Sequence, residues 1–281
     1  MKTIAIIICL FLLIACNKDD IKISEPKLAF AVTDLSVGSN RLAFGIIKPR
    51  GGTINTKTVT VDTYYLGDQD NPQHKETLIA KFEEWPQGNG VYVCETLFDQ
   101  SGKWGIGVTI NLDGTTITTS TYIEVRQYSK TPAIGVKAIR SKTPKYTPGQ
   151  DLSEITSDTN PYIPFYDMTL NEALDAKKPL IITFATPAFC KTATCGPQME
   201  ILKIIDKSNE FSANFLHIEI YKNPNKILGN INEAELSEAA LMWNIPSEPW
   251  TFIVDSNGNI IKKFEGLVTA NEILGILNNL K

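Results

Sequence analysis

The hydrophobic pattern of this 281-residue chain changes its period once, and this change constrains the fold more than any other feature. Between residues 27 and 127, apolar and polar residues alternate in short runs rich in β-branched and aromatic side chains, which is typical of strands. After residue 165, continuous apolar runs alternate with segments whose apolar residues recur every three or four positions, which is typical of helices packed on a buried sheet. The sequence therefore predicts two domains of different class.

Residues 27–127 are predicted to form an all-β domain. Clusters of Gly, Asn, Asp or Pro divide this stretch into seven candidate strands, and seven short strands in about a hundred residues favour a β-sandwich of the immunoglobulin type. Trp104 is expected in its core. The candidate strands are KLAFAVTDL, RLAFGIIKP, TVTVDTYYL, ETLIAKFEEW, GVYVCETLF, KWGIGVTIN and TTITTSTYIEV.

Two side chains of this domain carry potentially reactive groups, and both are interpreted as inert. Cys94 lies in the fifth candidate strand, where a buried and unreactive thiol is favoured over a reactive one. His74 lies in the polar segment GDQDNPQHKE, with no second histidine or methionine cluster beside it. A solvated loop histidine is therefore favoured over a metal ligand.

Residues 128–164 are predicted to be a proline-rich linker. The segment carries five prolines and few apolar residues, so it cannot build a core of its own. This composition is also compatible with a linker that lies ordered across both domains.

The N-terminus indicates export from the cytoplasm. One lysine precedes an apolar run from Ile4 to Ala15, which is too short to cross a bilayer as a mature helix. The run leads into the tetrapeptide LIAC, which resembles the lipobox of bacterial lipoproteins. The resemblance implies a signal peptide over residues 1–15, an acylated N-terminal Cys16 and a lipidated tether over residues 16–26. The alternative is an ordinary signal peptide or a short anchor with a chance cysteine.

The residues that follow Cys16 refine the expected location. Asn17–Asp20 resemble the surface-export signal of some Gram-negative lipoproteins. We therefore expect the chain in the bacterial cell envelope, held to the outer membrane through its N-terminal lipid and exposed at the surface. Disulfides persist outside the cytoplasm, so cysteines of this chain can pair.

Charge and cysteine content exclude several functions. The formal charge is −4 and the isoelectric point is about 5.4, which argues against nucleic acid as a partner. Beyond the signal peptide and the lipobox, the cysteines are Cys94, Cys190 and Cys195. Two of these are close in sequence and one stands alone, so a disulfide framework does not hold the fold.

The C-terminal stretch, residues 165–281, predicts the element order β-α-β-α-β-β-α. Thr169 is expected to cap a first short helix, with Glu172 three residues later. The order and the segment WNIPSEPWTFIVDSNGNIIKKFEG resemble the cis-proline region of membrane-tethered bacterial thioredoxins. The resemblance implies a thioredoxin-like fold, thiol–disulfide exchange as the activity, and a cis peptide bond before Pro249.

The cysteine segment departs from the thioredoxin pattern C-G-P-C. Aligning its C-G-P places Cys195 at the start of a helix, puts Gln198 at the position of the second cysteine, and leaves Cys190 in the preceding loop. A five-residue step along one continuous helix would turn the two cysteines about 140° apart. A disulfide between them therefore requires a helix that begins no earlier than Cys195, with their Cα atoms within about 7 Å.

Cys195 is the predicted nucleophile of this pair. Its position at a helix N-terminus would stabilise a thiolate, and Cys190 would then resolve the mixed disulfide. The opposite order remains open, because the N-terminal cysteine attacks in ordinary C-x-x-C sites. Thioredoxins also carry a buried acid before the active site, and this chain has Thr183 and Thr186 there instead.

Five further residues are predicted to form the face that receives a partner chain. They lie beside the cysteines or around the presumed cis-proline: Phe189, Pro197, Glu248, Pro249 and Trp250.

Two neighbouring families share part of the cysteine pattern. TPAFCKTATC resembles the T-P-x-C-x4-C of some peroxiredoxins, but no arginine follows Arg140 to activate a peroxidatic cysteine, so peroxidase activity is not expected. Sco-type copper chaperones combine C-x3-C with a distant histidine. Here the cysteines are one position further apart, and His217 lies within a candidate strand, where a hydrogen-bonded structural histidine is favoured. No metal and no cofactor are therefore predicted.

Two functions remain open at this point. The first is thiol–disulfide exchange with an envelope protein that carries a thiol or a disulfide. The second is a non-catalytic interaction module in which Cys190 and Cys195 form a permanent disulfide, and in which Phe189, Trp250 and the sandwich domain form a binding surface.

Overall fold

The computed structural model describes residues 25–67, 71–85, 88, 90–190, 194–228 and 230–280. The predicted signal peptide and Cys16 lie outside the described residues. Within the described part of the chain, no helix is long and apolar enough to cross a membrane.

The N-terminal domain is all β, as predicted. Its seven strands form one antiparallel sheet with the order β1-β2-β5-β4-β3-β6-β7. This order joins the four-strand and three-strand sheets of a seven-stranded immunoglobulin-type sandwich through the β3–β4 pair. The strands are β1 (Lys27–Phe30), β2 (Gly38–Ile47), β3 (Thr58–Tyr65), β4 (Gln73–Glu84), β5 (Gly90–Phe98), β6 (Gly102–Leu112) and β7 (Thr115–Val125).

Trp104 lies at the centre of this domain's core, as predicted. Its side chain is fully buried, and its ring packs edge-on against Phe98 with ring centroids 4.8 Å apart. The indole N–H donates to the carbonyl oxygen of Gln100 at 3.0 Å, so the buried polar atom is satisfied.

Cys94 is buried and not disulfide-bonded, which confirms the sequence interpretation. Burial raises the pKa of its thiol to about 12, so almost no thiolate forms at neutral pH. His74 was wrongly placed in a loop, because it lies near the start of β4. Its imidazole is 3.3 Å from a carboxylate oxygen of Asp62 and 3.1 Å from the hydroxyl of Thr77.

The C-terminal domain has the predicted order of elements around a four-stranded sheet, β11-β10-β8-β9. Strands β8 and β9 run parallel, whereas β10 is antiparallel to both β8 and β11. The elements are α1 (Leu170–Asp175), β8 (Leu180–Ala185), α2 (Cys195–Ser208), β9 (Asn214–Glu219), α3 (Glu238–Met242), β10 (Trp250–Val254), β11 (Ile260–Glu265) and α4 (Ala270–Leu277).

Strand β8 lies between β10 and β9 in the sheet, and every one of its residues is buried. Ile181 packs into the cluster that contains residues of α2 and α4, whereas Ile182 packs into the cluster that contains residues of α1 and α3. Alternate residues of a strand point to opposite faces, so a continuously apolar strand needs cover on both sides. The pairing of β8 with β9 and β10 sets its register and hence the place where the cysteine loop leaves the sheet.

The helix ends follow the local sequence with one exception. Thr169 and Glu172 form a capping box at the start of α1, as predicted. The segment NEAELSEAALMW is α-helical only from Glu238, not over its full length as predicted, and its first two residues end a 3-10 turn, Ile231–Glu233. The backbone N–H of Ser237 donates to the carbonyl of Ile220, and the N–H of Lys222 donates to the carbonyl of Glu235. Residues 235–237 therefore pair with the residues that follow β9 instead of joining α3.

The two domains contact each other through buried charged groups. The guanidinium of Arg41 in β2 forms two hydrogen bonds with the carboxylate of Glu272 in α4, the shorter at 2.6 Å. The backbone N–H groups of Thr33 and Asp34 both donate to Glu265 at the end of β11. Glu265 also accepts a hydrogen bond from the hydroxyl of Ser247 at 2.6 Å. The all-β domain therefore supports the loop that leads into β10.

The segment between the domains also has ordered contacts. The backbone N–H of Gly135 donates to Ile260, and the N–H of Ile260 donates to the carbonyl of Val136. The indole N–H of Trp243 donates to the carbonyl of Ile139 at 3.0 Å. This part of the segment runs beside β11.

Candidate active site

Cys190 and Cys195 form a disulfide at the point where the chain passes from β8 into α2, with their Cα atoms 6.0 Å apart. Helix α2 begins at Cys195, so only Cys195 belongs to the helix. The predicted condition for the bond, a helix that starts no earlier than Cys195, is therefore met.

The two sulfurs differ in accessibility and in hydrogen bonding. Cys195 has no exposed surface, whereas Cys190 is partly exposed. The backbone N–H of Cys195, in the first turn of α2, points to the Sγ atom of Cys190 at 3.3 Å. The partial positive charge of the helix N-terminus therefore acts on Cys190, and only Cys190 can be reached from outside. The expectation that Cys195 attacks and Cys190 resolves conflicts with this geometry, which favours the reverse.

Glu248 places a carboxylate beside the buried sulfur. Its Oε2 atom lies 3.6 Å from Cys195 Sγ, and the hydroxyl of Thr186 donates to the same oxygen. The peptide bond between Glu248 and Pro249 is cis, as predicted. The acid that is missing from β8 therefore has a counterpart in the loop before β10. Sequence reasoning placed Glu248 on the partner face and missed its contact with Cys195.

Gln198 occupies the position of the second thioredoxin cysteine and connects α2 to the segment before α4. Its side chain is fully buried, and its Oε1 atom accepts a hydrogen bond from the backbone N–H of Val268 at 2.8 Å. The residue therefore holds α2 against the segment that precedes α4.

Some of the residues predicted for the partner face are partly exposed, and others are buried beneath it. Phe189 and Pro197 are partly exposed, and the ring of Phe189 packs edge-on against Tyr221 with centroids 6.0 Å apart. Pro249 is buried, and Trp250 is only 2% exposed. The Trp250 ring stacks on Phe252 with centroids 5.7 Å apart, so Trp250 supports this face from within.

A second carboxyl, Glu219 at the end of β9, supports the cysteine loop. Its Oε2 atom accepts hydrogen bonds from the backbone N–H and the hydroxyl of Ser157 at 2.8 and 2.9 Å. The same hydroxyl accepts the backbone N–H of Ala188 at 3.2 Å. Burial raises the pKa of Glu219 to about 8, aided by the nearby carboxylate of Glu248, so Glu219 is largely protonated at pH 7. The signal in the sequence was a glutamate among the apolar residues Phe215, Leu216, Ile218 and Ile220.

His217 is a buried structural histidine, as interpreted from the sequence. Its Nδ1 atom accepts a hydrogen bond from the hydroxyl of Tyr166 at 2.7 Å, and its Nε2–H donates to the carbonyl of Ala185 at 3.1 Å. Burial lowers the pKa of the imidazole to about 4, so the ring is neutral at pH 7. Both ring nitrogens are occupied away from the cysteines.

Comparison with known proteins places the site in a known fold. Residues 166–281 match a family model described as a thioredoxin-like domain. No curated protein matches the chain.

Several solved structures resemble this chain, and two of them match about half of it. The first is a putative thiol:disulfide interchange protein DsbE from Chlorobium tepidum, which is 13% identical, with 53% of this chain and 99% of that chain covered and a TM-score of 0.36. The second is the C-terminal domain of a putative thiol–disulfide oxidoreductase from Bacteroides thetaiotaomicron, which is 16% identical, with 54% and 97% covered and a TM-score of 0.36.

Proposed function

We propose that this chain, whose residues 166–281 are a thioredoxin-like domain, is a thiol–disulfide oxidoreductase that works through Cys190 and Cys195. The observation that carries the proposal is the asymmetry of the pair. One sulfur is partly exposed and receives a helix N-terminal N–H, while the other is buried beside a carboxylate. An exchange site needs one accessible attacking sulfur and one protected resolving sulfur.

The proposed exchange has two steps, after which a dithiol donor must reduce the Cys190–Cys195 bond before the chain can react again. In the reduced chain, the Cys190 thiolate attacks a sulfur of the partner's disulfide, so that one partner sulfur leaves as a thiolate and a mixed disulfide forms. The Cys195 sulfur then attacks Cys190 Sγ, releases the second partner thiol and restores the Cys190–Cys195 bond. Two electrons pass to the partner. The proton of Cys195 moves to Glu248, whose carboxylate is 3.6 Å from that sulfur.

Reversible reduction in the folded state tests this function. The wild-type chain is equilibrated in dithiothreitol or glutathione buffers of graded potential, quenched with acid and alkylated, and its thiols are counted by mass. We expect the pair to open and close fully between about −270 and −120 mV, the range of exchange proteins. A bond that stays closed below about −300 mV, or that opens only on unfolding, would instead make it the permanent clasp of a non-catalytic interaction module.

The proposed location is outside the cytoplasm, with the chain anchored through lipid on Cys16. The support is the lipobox-like LIAC and the export-like residues Asn17–Asp20. The partner is an envelope protein that carries a thiol or a disulfide, and the outer membrane is the expected site of attachment.

Lipidation gives a direct prediction about the mature chain. Mass spectrometry of membrane-extracted protein is expected to show a diacyl or triacyl mass on Cys16 and no residues 1–15. A Cys16→Ser variant is expected to lose the acyl mass. Release of soluble, unlipidated protein from cells with Cys16 intact would contradict this part of the proposal and leave the redox part untouched.

A further inference from the structure

We propose that the reduced site binds one Zn²⁺ ion through Cys190, Cys195 and Glu248. The inference rests on the proposed function in one respect, because both thiols exist only when the disulfide is open. Within the described part of the chain, these three residues form a group whose ligand atoms all lie within 4.8 Å of one another. Two thiolates and one carboxylate are ligand types that zinc accepts.

The spacing of these atoms fits a tetrahedral ion. With zinc bonds of about 2.3 Å to sulfur and about 2.0 Å to oxygen, a sulfur and an oxygen ligand lie about 3.5 Å apart. The distance from Cys195 Sγ to Glu248 Oε2 is 3.6 Å. The same bond lengths put two sulfur ligands about 3.8 Å apart. The Cys190 and Cys195 sulfurs can reach this separation once the bond between them is broken.

Neighbouring groups already orient the proposed ligands. The hydroxyl of Thr186 donates to the Glu248 carboxylate, and the backbone N–H of Cys195 points to Cys190 Sγ. Such hydrogen bonds hold ligands in place and tune the affinity of metal sites. The partly exposed Cys190 and Glu248 give an ion a path to the buried Cys195, and they leave the fourth position open to water.

Zinc can bind only after the disulfide has been reduced. A dithiol reductant supplies two electrons and two protons, becomes a disulfide itself, and opens the Cys190–Cys195 bond to two thiols. Zn²⁺ then displaces both thiol protons and is bound by two thiolates and the Glu248 carboxylate. Because both redox sulfurs are then bonded to the metal, zinc competes with a partner disulfide for the same site.

Metal binding to the full chain tests the proposal. Zn²⁺ affinity and stoichiometry are measured by competition with a chromophoric chelator, and Co²⁺ reports sulfur ligation through its thiolate charge-transfer absorption. We expect one ion per reduced chain and none on the oxidised chain at the same site. Cys190→Ser is expected to remove the charge-transfer absorption, and Glu248→Gln to weaken binding by about 10- to 100-fold.

The controls separate this proposal from the function on which it rests. Glu235→Gln changes an exposed carboxylate paired with Lys222 and is expected to bind like the wild type. Glu248→Asp keeps a carboxylate and should retain an affinity between wild type and Glu248→Gln. Equal binding by Glu248→Gln and the wild type, or by oxidised and reduced chains, would overturn the zinc site. A chain in which Cys190 and Cys195 both titrate as thiols but no zinc binds overturns this proposal alone, whereas a chain in which these two thiols never form overturns the exchange function as well.

Discussion

A Cys195→Ser chain is expected to capture a disulfide partner and to hold it as a mixed disulfide, whereas a Cys190→Ser chain is expected to react at least about 100-fold more slowly. Cys190 is partly exposed, and its sulfur receives the N–H of the first turn of α2. Cys195 has no exposed surface, so its sulfur reacts only after a local opening of the structure. An opening that costs about 3 kcal/mol lowers the rate about 100-fold.

The measurement is the rate of adduct formation with oxidised glutathione, followed by mass spectrometry and peptide mapping of each reduced variant. The adduct on Cys195→Ser should persist, because no second thiol is present to release it. Cys94 serves as an internal control, since its buried thiol has a pKa of about 12 and should stay unmodified. Faster reaction at Cys195 than at Cys190 would reverse the assigned roles.

The sequence did not predict correctly which of the two cysteines attacks and which resolves. The sequence predicted that a disulfide requires α2 to begin no earlier than Cys195, and this is correct. It did not show which of the two sulfurs would receive the backbone N–H at the start of the helix. Because α2 begins at Cys195 itself, the first-turn N–H of that residue points outward to Cys190, and the Cys195 side chain is buried beneath it.

The contact of the acid Glu248 with Cys195 could not be predicted from the sequence for a different reason. Glu248 lies 53 positions after Cys195, so no local spacing relates the two residues. Their contact depends on the cis peptide bond before Pro249 and on the pairing of β8 with β10, which brings Trp250 opposite Phe184. Long-range contacts of this kind follow from the assembled sheet.

The all-β domain was predictable because alternation of apolar and polar residues is a local signal. Its seven strands appear where the pattern places them, and the main difference is at the first. Strand β1 ends at Phe30 although the apolar alternation continues to Leu35. The backbone N–H groups of Thr33 and Asp34 donate instead to Glu265 of the other domain. At these two residues, hydrogen bonds between the domains therefore replace strand pairing within the all-β domain.

Glu248→Gln is expected to slow release of a captured partner by about 10² to 10⁴-fold, which is the usual contribution of a general base. Cys195 is buried, so its proton must leave through a group inside the site. Glu248 Oε2 is 3.6 Å from that sulfur. Glutamine keeps the size of the side chain and can accept the hydrogen bond from Thr186, but it cannot take up a proton.

Stopped-flow measurements on the reduced chain separate capture by Cys190 from release by Cys195, because only release requires the second sulfur. The loss in Glu248→Gln should shrink as the pH rises, because a larger fraction of the Cys195 thiol then ionises without a base. Glu235→Gln, which removes an exposed carboxylate paired with Lys222, provides the matched control and should release the partner at the wild-type rate. A Glu248→Gln chain with an unchanged release rate, or with a deficit that does not vary with pH, would remove Glu248 from the chemistry. Recovery by Glu248→Asp would instead support it, because aspartate restores a proton acceptor in the same loop and a purely structural role would not respond in this way.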